Sequence, residues 1–473
     1  MWLYCKVRGM PRALPECTAG SAGFGTVVVS QRRTQNRQLF LTPRIRAQGI
    51  FGMRVLFLSP RVCWPPRSGA HLRDFYLARQ VASQASLTFI GLDTEELPAG
   101  QDIRHERLPE LHDAEVVRVR RGAGYGRWNL LRGFVGPKPV SILNFTAKTV
   151  MLALQQILRD HTFDAVQVEN VHLVAYAELI RRLAPKVPML CDWHNIESEI
   201  QDRYADNHSG SPRSLYARRT AHLLRRFEQK FLELGDAHTV CSDRERQILL
   251  TLDPSAHVEV IENGVDVAYF SETKWLPGGP RRNLVYVGLM EYHANVDAVT
   301  YFAREVWPRV REKRPELRFV IVGARPTAAV RALAEQAGIT VTGTVDDLRP
   351  FYREALAAVV PLRVGGGTRL KILEAMAAGT PVISTRLGAE GLRVDHGEEL
   401  LLADTPTEMA ELAAGLSEEN RQWQHLSENG GRLVRSRYDW AVIGERLMKV
   451  YAERLGVTPS SPTADAKISP GKG

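Results

Sequence analysis

The sequence predicts an α/β chain built from two doubly wound, parallel-sheet domains, and three observations carry that reading. Short apolar runs of strand length alternate with amphipathic helical stretches along most of the 473 residues. The alternation breaks once, at a sharp Asn263-Gly264 turn followed by Thr273 to Arg282, a poorly patterned stretch holding Pro277, Gly278, Gly279 and Pro280. It then starts again, and the length leaves material for two separate cores. The expected division is an extension over 1–52, a first domain over 53–272, a linker over 273–282, a second domain over 283–437, a closing helix over 438–456 and a tail over 457–473.

Composition narrows the function classes. No apolar run reaches the ~18 residues of a membrane span, so membrane contact is expected to be peripheral at most. The net charge of +9 suggests a nucleic-acid partner until it is divided along the chain. Residues 1–52 hold Lys6, Arg8, Arg12, Arg32, Arg33, Arg37, Arg44 and Arg46 against Glu16, a net of +7, which leaves +2 for the rest. No nucleic-acid footprint is therefore expected on the body. The extension has no signal-peptide pattern. It reads as a disordered segment or as translation upstream of a true start at Met53, with an arginine-rich organelle-targeting peptide as the third reading. Of five cysteines, Cys63, Cys191 and Cys241 fall in the body with no metal-site spacing, which fits reduced, buried thiols.

In chain order, RVLFLSP after Met53 reads as a buried strand, then a loop CWPPRSG, then a helix from near Ser68. Gly69 allows close backbone approach at the strand's carboxyl edge, where ligands sit in such sheets. Further strands are expected at 86–92, 165–169, 189–193, 238–242 and 258–261, while Arg118 to Trp128 reads as a loop. His194, in CDWHNIES, directly follows a strand and so lies at the ligand edge, flanked by Asp192 and Glu197. Arg213 to Asp236 is expected to be a helix with Leu215, His222, Leu223, Phe227, Phe231 and Leu232 inward and Arg218, Arg219, Arg225, Arg226 and Lys230 outward. Such a basic face suits an anionic membrane surface, with a solvated charged face as the alternative.

In the second domain, strands are expected at 284–288, 319–323, 339–342, 357–362, 381–385 and 400–403, with a helix over Ala294 to Arg309. Gly288 and Gly323 close their strands. The stretch Pro361 to Thr385, PLRVGGGTRLKILEAMAAGTPVIST, is a strand, a glycine-rich turn, a helix stopped by Gly379 and Pro381, and another strand. Backbone N–H groups of Gly366, Gly367 and Thr368 at a helix start favour an anion there, and Arg363, Arg369 and Lys371 add positive charge. Glu374, one turn further in, suits sugar hydroxyls. No phosphate-loop, HExxH or GxSxG string is present, nor an Asp-x-Asp pair of the kind that holds a divalent cation on a diphosphate. No metal and no cofactor are expected.

Three strings resemble the family 4 glycosyltransferases: GGGTRLKILEAMAAG, IENGVD at Ile261 to Asp266, and DWHNIES. The resemblance runs from about Met53 to Leu455. It implies the GT-B architecture, two Rossmann-like domains facing a cleft, with the C-terminal helix crossing back to the first domain. It also implies sugar transfer from a nucleotide-diphospho-sugar donor, with retention of configuration, to a glycan or lipid-linked hydroxyl in cell-surface polysaccharide synthesis, on the cytoplasmic side and peripherally at the inner membrane face. Ser68 and Gly69 match the donor-facing glycine loop. Gly288, Arg363, Gly366, Gly367, Thr368, Arg369, Lys371 and Glu374 fall in donor-binding segments, and His194, Glu374 and Lys371 take the catalytic places. VTGTVDDL at Val341 to Leu348 resembles the segment that passes the base. Two departures stand out. The family's first glutamate, eight positions before Glu374, is Gly366, and the basic pair after the second domain's first strand is missing from GLMEYHAN. A sugar-nucleotide epimerase of the same fold and a non-catalytic nucleotide-sugar binder remain alternatives.

Overall fold

The computed structural model describes residues 52–66, 69–94, 101–122, 127–207, 210–272, 279–364 and 370–457. The extension before Gly52, most of the linker and the tail after Val457 lie outside the described residues.

The first sheet contains β1 (Arg54–Ser59), β2 (Ser86–Asp93), β3 (Ile103–Leu108), β4 (Ala114–Arg120), β5 (Ala165–Glu169), β6 (Met189–Trp193), β7 (Ala237–Val240) and β8 (Val258–Val260). Their spatial order is β3-β4-β2-β1-β5-β6-β7-β8. Chain direction across the sheet reverses between β1 and β5, and the crevice beyond their carboxyl ends is where a ligand fits in this architecture. β1, β5 and β6 are almost wholly buried, as strands covered by helices on both faces must be. The helices are α1 (Gly69–Ala82), α2 (Arg127–Val135), α3 (Val140–Phe145), α4 (Lys148–Asp160), α5 (Val174–Leu183), α6 (Glu197–Asn207), α7 (Pro212–Leu234), α8 (Asp243–Leu252) and α9 (Val267–Phe270).

The second sheet contains β9 (Asn283–Val287), β10 (Arg318–Val322), β11 (Ile339–Gly343), β12 (Ala355–Val360), β13 (Val382–Ser384) and β14 (Leu401–Leu402), in the order β11-β10-β9-β12-β13-β14 and parallel throughout. Its helices are α10 (His293–Tyr301), α11 (Trp307–Lys313), α12 (Ala328–Ala332), α13 (Arg349–Arg353), α14 (Leu370–Ala377), α15 (Pro406–Gly415) and α16 (Arg421–Leu433). The last helix, α17 (Trp440–Leu455), returns to the first domain. Trp440 stacks on Tyr76 of α1 at 4.9 Å, Tyr451 donates to Gln167 of β5 at 2.6 Å, and Ile443, Leu447 and Leu455 join the core formed by β1 and α1.

Three expectations need correction. Arg118 to Trp128 is not one loop: β4 runs through Arg120, parallel to β2, and α2 begins at Arg127. The alternation AEVVRVR is a half-buried strand pattern that its arginines disguise. β3 pairs antiparallel with β4, so the first sheet has one antiparallel edge. Its sequence IRHERL lacks any apolar run because most of it is solvent-exposed. The helix expected over Ala294 to Arg309 is α10 and α11 joined by a π-turn at Phe302–Val306. Pro308 has no N–H to offer the preceding turn, and the widened turn absorbs the loss.

α7 also differs from its expected pattern. Ser211 caps it by accepting from the Ser214 N–H, and Leu223, Phe231 and Leu232 face inward, but Leu215 and His222 are exposed. Its outward cations are largely matched: Arg218 by Asp206, Arg225 by Asp202 and Lys230 by Glu178. No described helix is long and apolar enough to cross a membrane.

Candidate functional site

The carboxyl edge of the first sheet gathers a buried cluster of charge. β5 ends on Glu169, β6 places Asp192 just before its end and His194 just after it, and the first turns of α1 bring Arg73 and Asp74 over the same edge. His194 Nε2 lies 2.9 Å from Glu169 Oε2, 3.0 Å from Asp74 Oδ1 and 3.5 Å from Asp192 Oδ2. Arg73 makes a two-pronged pair with Asp192 at 2.8 and 2.5 Å and also donates to the Ile261 carbonyl and Asn263 Oδ1. Thr239 donates to Asp192, Ser59 to Asp74, and Gln167 to Glu169. All three carboxylates are fully buried.

The electrostatics follow from this packing. Burial opposes a charge on His194, but Asp74 and Glu169 outweigh it and lift the ring's pKa to about 9. Burial and the neighbouring Asp192 push Glu169 up to about 8. Against its own burial, Asp74 is held down at about 2 by Arg61 and His194, and Asp192 is held below the ordinary carboxylate range by Arg73. At neutral pH His194 is therefore an imidazolium whose Nε2 is engaged by carboxyl oxygens. Asp74, Glu169 and His194 each offer a ligand atom within 4.8 Å of the others, the spacing of a possible cation site. Arg61, Arg73 and the imidazolium already balance that charge, and the Nε2 distances are those of hydrogen bonds.

α1 links this cluster to the second domain. A Cβ on Gly69, at the helix start, would touch Leu370 Cδ1 of α14 at 3.4 Å. One turn on, Leu72 and Tyr76 of α1 line a crevice with Leu370 and Glu374 of α14, and Gly264, Asp266 and Trp440 close it. A single helix thus places its second turn against His194 and its outer face against α14. Ion pairs of Arg203 and Arg244 with Glu390, and of Arg393 with Asp243, span the cleft elsewhere.

On the second domain, β9 and β10 leave Gly288 and Gly323 in contact at their carboxyl ends. A Cβ on Gly323 would lie 1.7 Å from the Gly288 carbonyl oxygen, so no larger residue fits. Lys371, in the first turn of α14, reaches across to this point: its Nζ lies 3.2 Å from where a Gly288 Cβ would be. It donates to Tyr286 OH at 2.8 Å and to Asn295 Oδ1 at 3.0 Å. Glu374 is buried, its Oε2 accepting from Tyr352 OH at 2.9 Å, and burial pushes its carboxyl up to about 8. Arg363 is turned to the outside of α10, paired with Asp297 at 2.6 and 3.1 Å and stacked over Tyr301. To meet a phosphate it must leave that pair.

Of the sequence-derived residues, the structure groups Lys371 with Gly288 and Glu374 with the Gly69 helix, and holds His194 in the α1 cluster. Ser68, Gly366, Gly367, Thr368 and Arg369 lie outside the described residues. Sequence reasoning missed Arg73, Asp74, Glu169, Tyr352 and Asn295. The signals were slight: an Arg-Asp pair at the start of the apolar run FYLA, and a glutamate ending a buried strand. Glu197, flanking His194, begins α6 and is half-buried, and the desolvation raises its pKa.

The model of the Glycosyltransferase Family 4 matches residues 105–269, and that of the Glycosyl transferases group 1 matches residues 281–419. Phosphatidyl-myo-inositol mannosyltransferase from Mycobacterium tuberculosis is 30% identical over 205 residues, covering 41% of this chain and 54% of that protein. The enzyme of that name from Mycolicibacterium smegmatis is 29% identical over 255 residues, 52% and 63% of the respective chains. The match thus spans little more than half the length of these curated relatives. Among solved structures, sucrose-phosphate synthase from Thermosynechococcus elongatus superposes with a TM-score of 0.60 at 16% identity, covering 84% of this chain and 98% of the other. Anabaena HepE in complex with UDP and glucose gives 0.58 at 14%, covering 85% and 100%. Two family models meeting on either side of the linker, on two parallel-sheet domains with a returning C-terminal helix, settle the assignment: the chain is a GT-B protein belonging to the family 4, group 1 glycosyltransferases.

Proposed function

We propose that the chain transfers a sugar from a nucleotide-diphospho-sugar to a hydroxyl of a glycan or lipid-linked acceptor, with retention of configuration and without a metal ion, in cell-surface polysaccharide synthesis. One observation carries the reading: α1 joins an imidazolium on one wall of the cleft to a helix bearing Lys371 and Glu374 on the other. Lys371 stands beside Gly288, where the family's own basic pair is missing from the sequence, and its ammonium would meet the departing diphosphate. Arg363, released from Asp297, and Arg369 would add charge, with the amides of Gly366, Gly367 and Thr368 and the start of α14. The Ser68-Gly69 loop would cover the donor. Glu374 would take the ribose hydroxyls, and a carboxyl that is protonated near neutrality both donates and accepts. His194 would hold the transferred sugar. An oxygen of the leaving phosphate would take the acceptor's proton. The likeness to a phosphatidyl-inositol mannosyltransferase supports a lipid-linked acceptor, which would bring the chain peripherally to the inner, cytoplasmic membrane face.

The test is a panel of nucleotide sugars, beginning with UDP-glucose because HepE was crystallised with UDP and glucose. Thermal shift and nucleoside-diphosphate release are read together. Lys371→Ala is expected to lower kcat/KM by about 100-fold, and EDTA is expected to change nothing. Full activity in Lys371→Ala would remove the donor site from this place. Altered sugar nucleotide formed without acceptor would make the protein an epimerase, and binding with no turnover a scaffold.

A further inference from the structure

We infer that the α6–α7 hairpin is a membrane-docking finger that seats the mouth of the cleft on a bilayer rich in anionic phospholipid. The inference rests on the lipid-linked-acceptor part of the reading above, and moves the contact from the basic face of α7 to its tip.

The hairpin is rooted in the first-domain core through Ile196, Leu224, Phe231 and Leu232, and its tip lies at the other end. Glu228 of α7 accepts from the Ser198 N–H at 2.9 Å, which sets that turn of α7 level with the start of α6, just past the carboxyl end of β6. Leu224 is the first residue of α7 to join the core beneath the sheet, and from there back to Pro212 the helix is about 18 Å long at 1.5 Å per residue. α6 lies antiparallel against it, joined by Ser214 to the Ala205 carbonyl at 2.9 Å. The α2 end is fastened to the same tip: Arg219 donates to the carbonyls of Gly133 and Gly136 at 3.1 and 2.7 Å, and Phe134 stacks on Tyr216 at 4.4 Å. Arg121, at the end of β4, donates to the Asn144 carbonyl of α3 and ties that unit to the cleft edge.

Two properties of the tip point to a bilayer. Val135, Leu215 and Phe134, at 76%, 73% and 58% exposed, are the three most exposed large apolar side chains among the described residues, and the stacking of Phe134 on Tyr216, the neighbour of Leu215, sets their two segments side by side. Scattered exposed apolar residues need no explanation, but a cluster of the extremes does. Around them, 127–148 and 210–226 carry nine arginines and lysines and no aspartate or glutamate. Asp202 and Asp206 of α6 pair with Arg225 and Arg218, while Arg132, Lys138 and Arg213 form no ion pair among the described residues. Apolar side chains to enter the acyl boundary, ringed by cations for the headgroups, match an anionic membrane.

The test is co-sedimentation of the full chain with phosphatidylcholine vesicles, with and without phosphatidylglycerol. Thermal shift with UDP-glucose is run in parallel. Binding is expected only with phosphatidylglycerol, weakening with added salt, and Val135→Asp/Leu215→Asp is expected to reduce it at least tenfold. Both positions are exposed, so the variant's unfolding midpoint and donor shift should match wild type. Wild-type protein left in the supernatant, equal binding by the variant, or a dimer on sizing that the variant dissolves would each overturn docking. Loss of the donor response with vesicle binding intact would instead overturn the donor site and leave the finger standing.

Discussion

On the first-domain wall of the cleft, Asp74, Glu169 and Asp192 are met by Arg61, Arg73 and His194, and Ser59, Gln167 and Thr239 occupy further oxygens. On the second-domain wall, Glu374 is also buried and accepts from the Tyr352 hydroxyl, and Lys371 donates to the oxygens of Tyr286 and Asn295. One wall pairs its two ionised carboxylates, Asp74 and Asp192, with cations of the protein itself. The other buries Glu374 beside the Tyr352 hydroxyl and sets the Lys371 ammonium next to Gly288, where an anionic, hydroxylated ligand would meet both. The difference separates a preorganised surface from one completed by what it binds.

The contrast breaks most visibly at Arg73. Arg73→Met would leave Asp192 buried without its cation, and the expected loss is about 3–5 kcal/mol of unfolding free energy in urea melts. Lys371→Met on the opposite wall removes hydrogen bonds to Tyr286 and Asn295 and should cost less, about 1 kcal/mol. Equal losses from the two would erase the distinction between the walls.

Glu374→Gln sharpens it. A carboxyl whose pKa rises from 4.5 to about 8 on folding keeps its proton in the native state while the unfolded chain has lost it. Stability therefore falls as pH rises from about 4.5 to about 8. The amide carries no such penalty, so Glu374→Gln should melt above wild type at pH 8 and close to it at pH 4.5. Donor affinity should fall by about tenfold as a ribose contact weakens. A variant that gains stability and keeps full affinity would leave Glu374 a packing residue.

How much was legible in the sequence tracks which interactions are local. The strands at 165–169 and 189–193 were readable to the residue, because a strand buried on both faces is a bare apolar run. β3 and β4 were not, since an exposed edge strand can be built from arginines and glutamates, and the strand it pairs with carries arginines on its own half-exposed face. At the site, His194 and the α14 residues declared themselves by their place after a strand and after a glycine run. Asp74 and Glu169 did not: 95 residues apart, they meet only because β1 and β5 are neighbours in the sheet and α1 folds back over both. Leu215 misled because helical periodicity shows which face a residue is on, but not where along the helix the packing ends.

The smallest expected effect is also the most specific to the first wall. The imidazolium of His194 contributes its full stabilisation below about pH 6.5, and that contribution fades as pH rises through about 9, because the folded protein holds the proton that the unfolded chain gives up. If the charged ring holds the sugar, activity should persist to about pH 8 and decline near 9. Glu169→Gln keeps a side-chain oxygen at 169 to accept from Nε2 but removes a carboxylate that sustains the charge above pH 8. The alkaline limb of kcat/KM should then move down by about one pH unit, with activity at pH 6.5 nearly unchanged. A uniform loss at every pH would mean that Glu169 only supports packing. An unmoved limb would mean that the proton on His194 plays no part in transfer, and the first wall's balance of charge would then be structural alone.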